Sequence, residues 1–353
     1  MKIVLAGALL GALAVPIVPV QAAGAASAPA FALPEDHRAL VRSTTYAELA
    51  SFLQSVDGKG PVSVSVEGKS REGRDLFVVR VARGAAPRWR VLFYAQQHGD
   101  EVSGKDALLF LVRDAVRSPE SFPEDVELRI LPMVNPDGAE YDIARDRYEK
   151  WRKNRRNNGN GTYGVDLNRN YGYEWGTGGS SDDPSSDVYM GPKPFSEPET
   201  QVIRDFVEAH LNAKVLLTFH TFSELVLYPW GHSNDPIPNQ KDRDVFVKMA
   251  KTMAAWNGYT PEQASDLYIA SGDTTDWAYG THGIFAFTFE LSPTSMFNGG
   301  FYPGAGVIDK VFDANLKPVL YMIDLADDPY RALSAEMDPA MFYEIHPLPK
   351  LKI

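Results

Sequence analysis

The sequence predicts a single-domain α/β protein with a mixed, mostly parallel, doubly wound sheet flanked by helices. Apolar runs of strand length recur, as at residues 91–96, and amphipathic stretches of helical length lie between them. Strands that alternate with helices form βαβ units and so a largely parallel sheet. A length of 353 residues with 44% hydrophobic and 23% charged residues suits one large soluble domain or two smaller ones.

The N-terminus predicts a secretory signal peptide over residues 1–23. Lys2 precedes an apolar stretch, and Val20-Gln21-Ala22 provides a small-residue cleavage context. A membrane anchor is the alternative, but Pro16 interrupts the apolar stretch and no stop-transfer charge follows it. We therefore expect an exported protein, either secreted or periplasmic.

The predicted domain spans residues 36–327. An Ala- and Pro-rich linker over residues 24–35 precedes it. A C-terminal extension over residues 328–353 follows it, and the sequence assigns this extension no role. No segment after the signal peptide has the length of a membrane span, so we expect no membrane association after cleavage.

Charge and cysteine content narrow the function classes. A net charge of −11 argues against a nucleic-acid surface, because phosphate binding needs concentrated Lys and Arg. The one basic cluster, at residues 150–156, is short. The chain has no Cys, so its stability does not depend on disulfides.

The elements follow in chain order. A helix opens near Tyr46, with Thr44 or Thr45 as N-cap and Glu48 in its first turn. Ser196 and Glu199 predict a capping box at a later helix. The remaining predictions are a hairpin of strands 62–66 and 76–82, strands 91–96, 126–134, 215–220 and 284–291, and helices 107–116, 197–209 and 242–256.

The turn at residues 98–101 joins an apolar strand to an amphipathic helix. His98 and Glu101 are three residues apart there, and an imidazole and a carboxylate at that spacing can close on one metal ion, most often zinc. The pair alone is a weak signal. A histidine at a strand end and a glutamate in a helix first turn explain it equally well until a third ligand is found.

Two more candidate residues lie near the carboxyl ends of predicted strands. His220 ends one strand and Glu290 lies near the end of another. Ligands of open parallel sheets bind outside those ends, so both side chains could converge with His98 and Glu101. Taken alone, His220 is more readily a satisfied core histidine, and pairing it with Glu224 would need a helix. Glu290 is harder to explain structurally, because an unpaired carboxylate in an apolar strand costs several kcal/mol.

Seven motifs follow one another along the chain. They are HGDE at 98–101, NPDG at 135–138, KWRKNR at 150–155, GVDLNRNY at 164–171, HTFSELVLYPWG from 220, DLYIASGDTTDW from 266, and FAFTFEL around 290. In order and spacing these motifs resemble the zinc metallocarboxypeptidase family, most closely its bacterial carboxypeptidase T members. The resemblance runs from about residue 36 to 327.

The resemblance implies the catalytic roles. His98, Glu101 and His220 match the family's zinc ligands, and one zinc ion is the implied cofactor. Glu290 matches the glutamate that activates water. Arg152 matches the arginine that stabilises the oxyanion, a contribution of a few kcal/mol in such sites.

The resemblance also implies the substrate contacts. Asn168 and Arg169 match the pair that binds the terminal carboxylate, which a guanidinium can hold bidentately. Tyr268 matches a mobile tyrosine that closes over substrate. Asp273 and Thr275 lie at side-chain pocket positions, where a carboxylate accepts Lys or Arg while apolar walls accept Leu, Phe or Met.

Three features depart from the family or add to it. Asp100 stands where many members have Arg, and this change should disfavour acidic peptides. Residues 24–35 are too few for a folded prosegment, so we expect activity directly after export. The Asp-rich loop 178–187 has oxygen ligands for calcium, although its spacing is not that of an EF-hand and a solvated loop is the alternative.

The sequence thus predicts an exported zinc carboxypeptidase of broad or dual specificity for hydrophobic and basic terminal residues. Its partners would be peptides or proteins with a free C-terminus, and we expect a monomer. An enzyme acting on cell-wall peptides is the alternative. A non-catalytic peptide-binding module is a third hypothesis, and it predicts loss of Glu290 or of a ligand, neither of which is lost.

Overall fold

The computed structural model describes residues 31–34, 40–144 and 147–337. The predicted signal peptide, most of the predicted linker and the end of the C-terminal extension lie outside the described residues. The described residues belong to one compact unit that starts at Phe31. Within that part of the chain, no helix has both the length and the apolar character needed to cross a membrane.

In these described ranges, eight strands and eight helices form the framework. The strands are β1 (Val62–Lys69), β2 (Asp75–Val81), β3 (Trp89–Ala95), β4 (Val126–Leu131), β5 (Ala213–Thr221), β6 (Leu225–Tyr228), β7 (Thr260–Gln263) and β8 (Phe285–Leu291). The helices are α1 (Tyr46–Val56), α2 (Ser103–Arg117), α3 (Pro136–Ile143), α4 (Pro198–Ala209), α5 (Gln240–Asn257), α6 (Ala264–Leu267), α7 (Thr274–His282) and α8 (Gly306–Asp324).

All eight strands form one mixed sheet in the order β1-β2-β4-β3-β5-β8-β6-β7. The four central strands β4, β3, β5 and β8 are parallel. β1 and β2 pair antiparallel at one edge, which confirms the predicted hairpin. The predicted fold class is therefore confirmed, and the parallel centre directs the carboxyl ends of β3, β5 and β8 to one edge of the sheet.

Helices cover both faces of the sheet. Successive side chains of β3 point to opposite faces of the sheet. Val91 and Phe93 belong to the core on the face covered by α1, α2, α5 and α8. Leu92 and Tyr94 belong to the core on the other face, which α4 and α7 cover. A strand buried on both faces reads as a continuous apolar run, which is why the central strands were predictable.

The N-cap predicted for the first helix is confirmed at Thr45, whereas the capping box predicted for a later helix is absent. At α1, Thr45 accepts from the Glu48 amide and Glu48 accepts from the Thr45 amide. The capping box predicted at Ser196 and Glu199 is wrong: the N-cap of α4 is Glu197, without a side-chain cap hydrogen bond. Glu199 instead accepts from the Arg71 amide at 3.0 Å, so tertiary contacts replace the local cap.

Both ends of the described chain contact the domain. Leu33 is buried in the core, and the Phe31 amide donates to Ser51 Oγ at 2.9 Å. Beyond the predicted domain, a 3₁₀ helix at Pro329–Leu333 places the Tyr330 hydroxyl 2.5 Å from Asp242 Oδ1. The first residues of the C-terminal extension therefore add to the packed structure.

Candidate metal centre and active site

Strand register brings the candidate residues to one edge of the sheet. His220 on β5 lies directly beside Glu290 on β8 in the parallel ladder. β3 is the other neighbour of β5 and ends at Ala95, three residues before His98. The helix that follows, α2, begins two residues after Glu101. This is the convergence expected at the carboxyl ends of parallel strands.

His98, Glu101 and His220 form a compact set of donors. The Nδ1 atoms of the two histidines are 3.2 Å apart. Glu101 Oε1 lies 2.7 Å from His98 Nδ1, and Glu101 Oε2 lies 2.9 Å from His220 Nδ1. Tetrahedral zinc with bonds of about 2.0–2.1 Å separates its ligand atoms by roughly 3.3 Å, so these donors fit one zinc ion.

A buried aspartate orients one of the donors. Asp166 Oδ1 lies 3.2 Å from His98 Nε2, the ring nitrogen opposite the donor set. A carboxylate at that position fixes the ring and strengthens the histidine as a ligand. Burial acts to raise the pKa of Asp166, but Arg152 and His98 outweigh it and hold the pKa well below its usual range. Asp166 therefore remains an anion beside the donors.

Arg152 lies beside the same donors. Its Nε donates to Asp166 Oδ2 at 2.8 Å, and its Nη1 lies 3.9 Å from Glu101 Oε1. Burial acts to lower the pKa of Arg152, yet Asp166 and Glu101 raise it above its ordinary value. The guanidinium is thus a fixed positive charge at the edge of the metal centre.

Glu290 is a buried carboxyl group close to this centre, with 8% of its surface exposed. Burial, with a smaller contribution from the Glu101 carboxylate, raises its pKa to about 8 against the opposing effects of His98 and Arg152. Carboxyl groups with pKa values near neutrality are suited to accept and return a proton.

Asn168, Arg169 and Tyr268 lie together on another part of the site. Asn168 Oδ1 accepts from the Thr274 amide and hydroxyl, both at 3.1 Å. Arg169 Nε donates to the Gly179 carbonyl at 3.1 Å. The Arg169 guanidinium lies 5.7 Å from the ring centre of Tyr268, whose side chain is half exposed. The buried cation of Arg169 therefore lies beneath the half-exposed ring of Tyr268.

Asp273 caps α7 with one of its two carboxylate oxygens. Oδ1 accepts from the Thr275 amide at 2.9 Å and its hydroxyl at 2.7 Å. Among the described residues, Oδ2 is buried without a hydrogen-bond partner. A Cβ atom at Gly231 would lie 3.1 Å from Oδ2, so the glycine backbone packs closely against this carboxylate.

Three further expectations from the sequence have a structural outcome. Glu224 bonds Ser292 Oγ and Lys310 Nζ, which separates it from His220. Asp100 is buried, and its Oδ1 has no hydrogen-bond partner in the part of the chain that the structure describes. Within the described ranges, the metal-competent cluster of His and acidic side chains is His98, Glu101 and His220, so the calcium prediction for loop 178–187 gains no support.

Sequence reasoning assigned no role to Asp166. The sequence GVDLN contains a signal for it, because Asp166 is a single acidic residue between the apolar residues Val165 and Leu167. Both neighbours are fully buried in the structure. The same argument that singled out Glu290 applies to it, since a carboxylate in an apolar run needs partners. Gln97 was also missed, although it reaches Thr274 Oγ1 at 3.2 Å and accepts from Tyr171 at 2.9 Å.

Gly99 allows the metal-site turn to approach a neighbouring loop. Its amide donates to the Arg152 carbonyl at 3.0 Å. A Cβ atom at this position would lie 2.5 Å from the Gly138 carbonyl carbon and 2.6 Å from the Trp151 carbonyl oxygen. Both obstacles are backbone atoms, which cannot rotate away.

We expect Gly99→Ala to destabilise the protein by roughly 1–3 kcal/mol and to lower zinc occupancy, because the turn must move away from both loops. Thermal melts and metal analysis check this. Gly306→Ala is the matched control: no atom of the described residues lies within 4 Å of its added Cβ, and it should melt at or above the original temperature. A Gly99→Ala protein with unchanged melting and zinc content would contradict the packing argument.

A buried His-Glu-His donor set at the carboxyl ends of a parallel sheet, with an arginine and a second glutamate beside it, defines a mononuclear metallohydrolase. Comparison with known proteins identifies the family. The zinc carboxypeptidase family profile matches residues 49–317, and the chain belongs to this family. It is a metallocarboxypeptidase, and the family implies zinc.

Individual relatives agree with this assignment. Carboxypeptidase B of Astacus astacus is 35% identical over 269 residues, which cover 72% of this chain and 88% of that protein. A zinc carboxypeptidase of Saccharothrix mutabilis subsp. capreolus is 34% identical, covering 75% of this chain and 65% of its own length. The crystal structure of carboxypeptidase A from Helicoverpa armigera superposes with a TM-score of 0.73 at 28% identity, over 83% of this chain and 75% of that one.

Proposed function

We propose that this protein is an exported zinc carboxypeptidase that hydrolyses the last peptide bond of peptides and proteins and accepts both hydrophobic and basic terminal residues. The donor set of His98, Glu101 and His220, with Nδ1 atoms 3.2 Å apart, carries the proposal. Zinc, when bound, supplies a Lewis acid for the scissile carbonyl and lowers the pKa of a water molecule.

The chain's own residues supply proton transfer and charge stabilisation. Glu290 accepts a proton from the attacking water and passes it to the leaving amine, a role supported by its raised pKa. Arg152 donates hydrogen bonds to the oxyanion that develops on the carbonyl oxygen. Its support is the Asp166 contact at 2.8 Å, which fixes the guanidinium beside the metal donors.

Binding of a free C-terminus falls to a second group of residues. Asn168 and Arg169 hold the terminal carboxylate, and Tyr268 closes over the bound residue. The guanidinium beneath the half-exposed Tyr268 ring supports this arrangement. A buried guanidinium favours a substrate with a terminal carboxylate, which makes the enzyme an exopeptidase.

Asp273 and Thr275 recognise the terminal side chain. The buried, unpartnered Oδ2 of Asp273 supports recognition of Lys or Arg, because a buried carboxylate is stabilised by an opposite charge. Hydrophobic terminal residues bind to the apolar walls of the same pocket.

Hydrolysis of blocked dipeptides ending in Phe, Leu, Arg, Lys or Glu tests the proposal directly. We expect chelator-sensitive release of the terminal residue from all except the Glu peptide. Muropeptides with a free carboxylate, assayed in parallel, address the cell-wall alternative, which the Asn168 and Arg169 pair also permits. Failure to release any terminal residue from the zinc-loaded protein would reject the exopeptidase function.

The preference for basic residues should increase with pH. Burial raises the pKa of Asp273 to about 7, with a further contribution from Asp276. The carboxyl group is neutral below that pKa and negative above it. We therefore expect the ratio of kcat/KM for Arg over Leu peptides to rise about tenfold between pH 6 and pH 8.

Enzyme groups that act on both substrates, such as Glu290, change both kcat/KM values equally with pH. Their titration therefore cancels in the ratio. Asp273→Asn should give a low ratio that does not change with pH, while Leu peptides are still hydrolysed. A pH-dependent ratio that survives in Asp273→Asn would assign the basic preference to another group.

A further inference from the structure

The loop that leads into Arg152 contains a strained residue. Lys150 has a φ of 58°, the left-handed conformation that non-glycine residues rarely adopt. Such residues cost free energy and persist only where the surrounding structure fixes them. The conformation of this loop therefore depends on contacts from outside it.

Asp142, in α3, supplies contacts on both sides of Lys150. Its carbonyl oxygen accepts from the Glu149 amide at 2.9 Å. Its side-chain Oδ1 accepts from the Trp151 amide at 2.8 Å. Asp142 is fully buried, so water does not compete for these bonds. One residue thus fixes the backbone immediately before Arg152.

Tyr302 in turn holds Asp142. Its hydroxyl donates to Oδ1 and Oδ2 of Asp142, both at 2.9 Å. Its ring stacks on Tyr148 with the ring centres 3.7 Å apart and the planes 19° from parallel. Tyr302 therefore contacts the Arg152 loop directly through Tyr148 and indirectly through Asp142.

Tyr302 connects two segments of the chain that each adjoin a residue of the site in sequence. Tyr302 follows β8, the strand that carries Glu290, while Asp142 precedes the loop that carries Arg152. The Arg152 carbonyl also accepts from the Gly99 amide at 3.0 Å, between two metal donors. A displacement of the Arg152 loop would therefore reach both the guanidinium and the metal-site turn.

We propose that Asp142 and Tyr302 are positioning residues that hold the Arg152 guanidinium where the oxyanion forms. The inference rests on the proposed function, in which Arg152 stabilises that charge. Because the oxyanion exists only in the transition state, loss of positioning lowers kcat and leaves KM nearly unchanged. Neither residue is among those proposed above to bind the substrate.

A double-mutant cycle on the zinc-loaded enzyme with a blocked dipeptide substrate tests the proposal. We expect Tyr302→Phe to lower kcat about tenfold and Asp142→Asn to lower it at least as much, since a displacement near 1 Å can cost more than this. In an Arg152→Ala background, either substitution should lower kcat less than about twofold further, because residues that act as a unit are not additive.

Tyr330→Phe is the matched control. It removes the same kind of bond, from a tyrosine hydroxyl to Asp242, in the C-terminal segment. We expect its kcat to equal that of the unmodified enzyme. Melting temperatures of all variants identify unfolding, and Tyr302→Phe provides the test if Asp142→Asn does not fold.

The outcomes distinguish the proposed role of Arg152 from the proposed positioning role of Asp142 and Tyr302. Arg152→Ala with full kcat would reject the proposed role of Arg152. If Arg152→Ala is impaired while Tyr302→Phe and folded Asp142→Asn keep full kcat, only the positioning role is rejected. Equal losses from Tyr302→Phe with and without Arg152 would show that it acts by another route and would overturn the inference.

Discussion

Glu290→Gln is expected to lower kcat about 10³-fold, because glutamine has the size of glutamate but cannot accept a proton. The location of the carboxyl group supports the proposed role in proton transfer. It lies in the wholly buried strand β8 beside His220, where an apolar residue would pack without the cost of desolvation. Steady-state assays on a blocked dipeptide with zinc-loaded protein measure the change.

The same substitution should not destabilise the metal-free protein. The folded-state pKa of Glu290 is raised to about 8, while the carboxyl group of the unfolded chain has its ordinary pKa of 4.5. Ionisation between those two pH values favours the unfolded state, so stability falls as pH rises through that window. Glutamine removes this penalty, and at pH 7 the melting temperature should be equal or higher.

Glu208→Gln is the control for an ordinary carboxylate, because Glu208 is exposed on α4. It should leave kcat and melting unchanged. A Glu290→Gln enzyme that binds zinc and keeps more than about a tenth of its kcat would assign the proton transfer to another group, since general base catalysis is worth more than that.

The central fold was predictable because its strands are buried on both faces. Residues 91–96 and 284–291 are almost continuously apolar, and they correspond to β3 and β8. The short strands β6 and β7 were missed. β7 reads TPEQ, and its pairing with β6 outweighs a local sequence with little strand preference.

Helices α3 and α7 were missed for a different reason. Both begin in polar motifs, NPDG and GDTTDW, that read as turns. In the structure these motifs are N-caps: Asn135 accepts from the Gly138 amide, and Asp273 accepts from the amides of Thr275 and Asp276. Turn and cap chemistry use the same side chains, so sequence alone does not separate them.

The site was predictable only through motif order. The spacing of His98 and Glu101 left a structural explanation open, and three of the four candidate side chains come from different strand ends that only the topology brings together. The contacts of Asp142 and Tyr302 join residues 160 positions apart, and no local pattern indicates them. Strand ends are predictable from burial, whereas side-chain networks between loops are not.

Removal of zinc is expected to abolish hydrolysis and to lower the melting temperature. Without the ion, Glu101 and two imidazoles lie within 3.2 Å of one another in a buried site, and no side chain supplies the Lewis acidity that the reaction needs. Dialysis against a chelator, followed by assay and thermal melting with and without added zinc, measures both effects.

The size of the stability change follows from binding linkage. Zinc at about 1,000 times its Kd stabilises the folded state by about 4 kcal/mol, which corresponds to a rise of about 6 °C for a domain of about 300 residues. Zinc that is added back should restore full activity over the same concentration range in which it restores the melting temperature, because one site accounts for both effects.

Two histidine variants separate this site from adventitious binding. His220→Ala removes a donor and should neither regain activity nor melt higher with zinc. His210→Ala is the control, since His210 Nδ1 contacts the Phe206 carbonyl at the end of α4, and it should respond to zinc as the unmodified protein does. Activity that survives complete metal removal would contradict a metal-dependent mechanism, and equal responses of the two variants would place the functional zinc elsewhere.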